Sequence, residues 1–147
     1  MHLTPRQFLA LIKTAPLVAI DLVIRNQHGD VLLGRRTNRP AKGFWFVPGG
    51  RIRRGETIKA AIHRITKNEL GTTLPAPLLL GAFDHFYPDN AQGVPGLDTH
   101  YVSLAYTCEW AGPFGESDGQ HSDFQWMTVK ELLAHKKVHP NTKAFFK

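Results

Sequence analysis

The chain has 147 residues, 42% hydrophobic and 20% charged, the balance of a single globular domain with a full core. No apolar run is long enough to span a membrane, and Met1-His2-Leu3-Thr4 does not open a signal peptide. A lone cysteine, Cys108, excludes an internal disulfide and fits a reducing cytoplasm. The net charge of +6 points to an anionic partner. That partner is a nucleic acid, a membrane surface or a phosphorylated small molecule, and the spread of basic residues without a Lys/Arg block argues against a nucleic-acid tail.

Thr4-Pro5-Arg6-Gln7 predicts a helix start, with Thr4 as N-cap, Pro5 at the first helical position and Gln7 completing a capping box. Phe8, Leu9, Leu11 and Ile12 give this helix an apolar face, and Pro16 ends it. Residues 17–24 form an apolar run expected of a strand buried on both faces. Asp21 interrupts that run, and a carboxylate in mid-strand needs either a structural partner or a function. After a turn at residues 26–30, residues 31–36 predict a second strand that closes a hairpin. Arg35, Arg36 and Arg39 then bracket Thr37-Asn38, and residues 44–47 predict a short strand.

Pro48-Gly49-Gly50 breaks the run, and a helix of about a dozen residues follows Gly55, with Glu56 near its start complementing the dipole. Gly71 stands where a left-handed cap belongs. Ile58, Ala61, Ile62 and Ile65 make an apolar stripe that Glu69 continues, so this carboxylate requires a basic side chain or a metal ion, unless the last turn is solvated. Two long strands are expected at residues 78–87 and 99–110, separated by a Pro/Gly-rich loop at 88–98. A second loop at 112–118 leads through Gln120-His121-Ser122-Asp123 to a strand at 124–127. Thr128 and Glu131 open a helix carrying Leu132 and Leu133, and residues 139–147 supply a last helical turn. This alternation, without a regular βαβ period, is consistent with a mixed sheet between helices.

The stretch at 50–72 resembles the Nudix box, G-x5-E-x7-R-E-U-x-E-E-x-G-U with U a bulky aliphatic. Gly50, Glu56, Arg64, Glu69 and Gly71 match, whereas Ile65 and Asn68 stand where that box usually carries Glu and Thr72 where a larger aliphatic is usual. The resemblance implies a Nudix-type α/β/α sandwich with a mixed β-sheet, here one domain over residues 1–147. Further stretches, P-L-V-A-I-D-L-V, L-L-G-R-R-T-N-R-P-A-K-G-F-W-F-V-P-G-G-R, D-H-F-Y-P-D-N, T-H-Y-V and G-Q-H-S-D-F-Q-W, are similar to the GDP-mannose mannosyl hydrolase branch, in which water attacks the sugar's anomeric carbon with inversion.

Carried over, that resemblance implies one Mg²⁺ per site, with Mn²⁺ as a substitute, on Glu69, the Gln120 side chain and the Gly49 carbonyl. It implies His121 as general base. Arg36, Arg51 and Tyr101 would meet the leaving diphosphate, Asp21 and His85 the sugar, and Arg64 would orient the box loop. Leu3 and Phe8 would help hold the guanine, and the chain would be a homodimer. Two other readings stay open: a Nudix pyrophosphatase attacking phosphorus, and a non-catalytic module that binds nucleotide sugar.

Overall fold

The computed structural model describes residues 2–110, 112–113 and 121–147, with no side chain described at 121 or 122. Helix α1 (Pro5–Thr14) begins with both halves of the expected capping box. The Thr4 hydroxyl accepts from the Gln7 amide at 3.2 Å and the Gln7 side chain from the Thr4 amide at 2.9 Å. Ile12 is its buried residue, and Phe8, Leu9 and Leu11 are half-buried.

Among the described residues seven strands form one mixed sheet: β1 (Leu17–Arg25), β2 (Val31–Arg36), β3 (Trp45–Phe46), β4 (Gly49–Arg51), β5 (Leu78–Tyr87), β6 (Thr99–Glu109) and β7 (His121–Met127). Strand β1 is the spine. It runs parallel to β6 from the Leu17–Tyr101 pair to the Arg25–Glu109 pair, and β5 completes that side antiparallel to β6. The expected hairpin of β1 and β2 pairs at Arg25 and Val31, after which the two strands part. Strand β4 lies beside β1, with Gly49 against Asp21, while β3 and β7 pair with β2. The Leu22 amide donates to the Pro48 carbonyl and the Ile52 amide to the Val18 carbonyl, each at 2.8 Å, so residues 48–52 fill the gap.

Strand β4 departs from the sequence expectation of a simple break. Paired glycines have poor strand propensity, but here close approach demands one. A Cβ on Gly49 would stand 2.4 Å from the Ile20 carbonyl oxygen.

Side-chain alternation along β1 divides the core in two. Ile20, Leu22 and Ile24 face α2 (Ile58–Leu70) and pack with Ala61, Ile65 and Leu70. Val23 faces the other way, into a cluster with Val31, Leu33, Trp45, Met127, Leu132 and Phe145, the last two from α3 (Val129–Ala134) and the closing 3₁₀ turn Ala144–Phe146. Helices thus cover both faces of the sheet, the α/β/α arrangement expected. Asp21 shares a face with Val23, not with the box helix. Cys108 is half-buried on the α2 side, and burial pushes its thiol up to about 11, so it is a packing residue.

Several boundaries differ from the sequence expectation. The short strand before the glycines covers Trp45–Phe46, without Phe44 and Val47. The helix N-cap is Thr57, so Glu56 lies outside the helix and is used otherwise. Strand β7 reaches back to His121, because register with β2 pairs position 121 with Arg36. The loop expected at 112–118 falls mostly outside the described residues. No helix among the described residues is long and apolar enough to cross a membrane.

Candidate active site

The box helix is fixed at both ends by local chemistry. The Thr57 hydroxyl accepts from the Ala60 amide at 3.0 Å, and Gly71 closes the helix at φ 66°. Glu56 accepts from Arg64 Nε at 2.7 Å and Nη2 at 2.9 Å, and from the Arg53 amide at 2.8 Å. Arg64 also donates to the Arg51 carbonyl at 2.7 Å. The fork of Arg64 therefore ties the loop at 51–56 to the helix, and its guanidinium holds Glu56 down at about 2. This pair is structural scaffolding for the glycines, not a dipole cap.

Gly50 lies on the helix at Ile65, where a Cβ would meet the Ile65 side chain at 3.2 Å. Ile65 is buried in the α2 core, so the position that usually carries a box glutamate is filled by packing. Glu69 comes one helical turn later on the same face and is 4% exposed. Among the described residues no group of three or more His, Cys, Asp or Glu side chains is arranged to hold a metal. One buried carboxylate on the helix face that Gly50 meets fits a single hard divalent ion whose remaining positions go to backbone, phosphate and water; it does not fit a carboxylate-bridged cluster. Gln120, the other expected side-chain ligand, lies outside the described residues.

On the far side of the glycines the sheet carries a cleft of about 730 Å³, within the size range of small-molecule sites. Asp21, Gly49, Arg36, Arg51, His85 and Tyr101 all line it, so a set scattered from β1 to β6 is brought together. The Ser103 hydroxyl donates to Asp21 Oδ2, and His85 Nδ1 lies 3.9 Å from the same oxygen. His85 is 4% exposed, and its Nε2 takes no hydrogen bond among the described residues. Phe8 reaches the cleft from α1, with the Arg51 guanidinium 5.9 Å from its ring centre. Leu3, Arg64 and Glu69 are not in this wall. His121 opens β7 next to Arg36, but its side chain lies outside the described set.

Arg36 is partly committed to the backbone. Its Nε donates to the carbonyls of Pro40 at 2.9 Å and Asn38 at 3.3 Å, and Nη2 to that of Arg39 at 3.2 Å. It shapes the turn at 37–40 while one face looks into the cleft. Sequence reading did not single out Phe46 and Tyr87, which also line the cleft. Tyr87 is 9% exposed, and burial first, then the Asp21 charge, raises its hydroxyl far above the ordinary phenol range. Its available signal was period two: in H-F-Y it shares the strand face of His85.

His139 stacks on Phe46 at 4.9 Å and packs against Tyr87 at 5.1 Å, behind the cleft wall. Burial, then the neighbouring His139, lowers His85 to about 4, and burial lowers His139 to about 4. Both imidazoles are therefore neutral at pH 7. An unfolded chain takes up these protons near 6.5 and the folded chain refuses them until about 4, so stability is complete above 6.5 and falls as pH drops toward 4. Melting temperature followed across that window is expected to decline on acidification. A flat profile would mean that the two rings are not buried neutral.

The comparisons agree with this architecture. The NUDIX domain model matches residues 15–147. The chain is 42% identical over 117 residues to the low-salt glycan biosynthesis protein Agl8 of Haloferax volcanii, covering 79% of this chain and 73% of that protein. It is 38% identical over 130 residues to an ADP-ribose pyrophosphatase of Methanocaldococcus jannaschii, covering 84% and 70%. Its fold is similar to the crystal structure of a MutT NUDIX hydrolase from Burkholderia pseudomallei, with TM-score 0.71 and 27% identity over 88% of this chain and 95% of that one.

Proposed function

Because this chain belongs to the NUDIX domain family, we propose that it hydrolyses a sugar nucleotide, GDP-mannose first and GDP-glucose second, by water attack on the anomeric carbon. The observation that carries this reading is the Asp21–His85 pair, 3.9 Å apart in the cleft, together with a box helix, on the other face of the sheet, that offers Glu69 but an apolar Ile65. The relative named for glycan biosynthesis also suits a sugar nucleotide.

In this mechanism a water oxygen bonds to the anomeric carbon while the bond from that carbon to the phosphate oxygen breaks, its electron pair leaving with GDP. His121 takes the water proton. Asp21, held by Ser103, faces the positive charge that builds on the sugar, as carboxylates do in glycoside hydrolysis. His85, neutral at pH 7, adds no opposing charge beside the sugar. Arg36 and Arg51 neutralise the departing diphosphate, and Tyr101 donates to it. Phe8 and Leu3 hold the base, with the chain acting as one domain and as a homodimer. A Mg²⁺ ion on Glu69, Gln120 and the Gly49 carbonyl would supply Lewis-acid stabilisation of the diphosphate.

The pyrophosphatase relative at 38% identity favours a second reading, attack on phosphorus. Hydrolysis of GDP-mannose in oxygen-18 water, followed by mass spectrometry, separates the two. Label in free mannose with unlabelled GDP is expected. Label in GMP or mannose-1-phosphate would put the attack on phosphorus, and no turnover would leave a binding module.

A further inference from the structure

Arg36 gives its Nε hydrogen and one Nη2 hydrogen to backbone carbonyls of its own turn, so a further guanidinium is needed for a full bidentate clamp on a diphosphate. We infer that Arg39 supplies that clamp and that Gly93, in the loop following β5, sets the position of its guanidinium. This inference rests on the reading that the substrate carries a diphosphate. Arg39 lines the cleft mouth, and no carboxylate pairs with it in an ion bridge among the described residues. Its Nη1 lies 2.1 Å from the point where a Cβ on Gly93 would stand, so the guanidinium occupies the space that the missing side chain leaves.

Both loops that meet here are shaped from within. Arg36 gathers the carbonyls of 38–40 and so shapes the turn that carries Arg39. In the loop at 88–98, the Asn90 side chain is fully buried. Its Nδ2 donates to the Val94 and Leu97 carbonyls at 2.8 Å each, and its Oδ1 accepts from the Gln92 and Val94 amides at 3.1 Å each. The Gly93 amide donates to the Asn90 carbonyl at 3.0 Å. A loop rich in Pro and Gly thus has a definite surface, and Arg39 is braced against it. A guanidinium fork held at a cleft mouth with no carboxylate partner matches the geometry of phosphate oxygens.

Gly93 and Gly96 make the test specific. Both have positive φ, +67° and +74°, so alanine strains the backbone at either, but a Cβ at Gly96 meets nothing within 4 Å. The full chain is titrated with inorganic pyrophosphate in the presence of Mg²⁺, as wild type, Arg39→Gln, Gly93→Ala, Gly96→Ala and the double variant Arg39→Gln/Gly93→Ala. Arg39→Gln is expected to weaken binding roughly 10-fold or more, the worth of a charge-assisted contact. Gly93→Ala is expected to match it and Gly96→Ala to leave affinity unchanged. In the Arg39→Gln background Gly93→Ala should add less than about twofold, since both act through one contact. Wild-type affinity in Arg39→Gln, equal weakening by both glycine variants, or no pyrophosphate binding by wild type would each overturn the inference. Should the expected pattern appear while GDP-mannose is not cleaved at carbon, the Arg39 clamp stands and the sugar-nucleotide reading is what fails.

Discussion

Replacing His121 with glutamine is expected to lower turnover of GDP-mannose by ~10²–10⁴-fold, the usual share of a general base, while Mg²⁺ affinity stays near wild type. The box has no carboxylate to spare for proton removal: Ile65 is packed in the core, Asn68 carries no carboxylate, and Glu56, ahead of the helix, is forked by Arg64. Of the other histidines that the fold brings near the cleft, His85 and His139 are lowered to about 4, too weakly basic to serve well at neutral pH. Position 121 opens β7 directly across from Arg36, a cleft residue, so strand register brings it to the same end of the sheet. The measurement is steady-state turnover with Mg²⁺ binding followed in parallel. A wild-type rate in His121→Gln would remove His121 as the base. Loss of metal binding together with rate would mean that the residue serves the ion.

Glu69→Gln has the second large effect, and it separates from the first by its dependence on metal. Glu69 is 4% exposed on the helix face that Gly50 touches through Ile65. An amide offers Mg²⁺ a neutral oxygen and little of the charge that a hard ion demands. Loss of this ligand is expected to weaken Mg²⁺ by at least the ~10–100-fold that changes around metal ligands cause. Activity should recover in part as Mg²⁺ is raised, whereas His121→Gln should not respond. A Glu69→Gln protein with unaltered Mg²⁺ dependence would exclude this residue from the site.

Arg64 belongs to neither class. It bonds Glu56 and the Arg51 carbonyl and lies away from the cleft wall, so its influence on chemistry passes through the placement of residues 49–51. The cluster Asp21–Ser103–His85 shows the opposite case. Its members are 82 residues apart at the widest, yet the parallel pairing of β1 with β6 and the antiparallel pairing of β5 with β6 put all three on one face. Asp21 stood out in the sequence as a charge within an apolar run. Nothing local marked Ser103 as its partner.

What the sequence determined by itself was set by interactions spanning a few residues. Thr4 with Gln7 and Gly71 with its left-handed cap could both be read from spacing, because each is a hydrogen bond or backbone angle closed within one helical turn. The box glycine, Glu56, Arg64 and Glu69 were legible for the same reason, as positions counted along one loop and helix. The tertiary structure alone decided that β1 and β2 part after Arg25 and Val31, that Gly49–Arg51 becomes a strand in the gap, and that Glu56 serves Arg64 instead of the helix end. It also decided that Arg36 gives its Nε hydrogen and one Nη2 hydrogen to its own turn and that Arg39 rests on Gly93. These contacts depend on register across the whole sheet and on close backbone approach. Both are settled by the summed packing of distant strands, and no window of a few residues contains them.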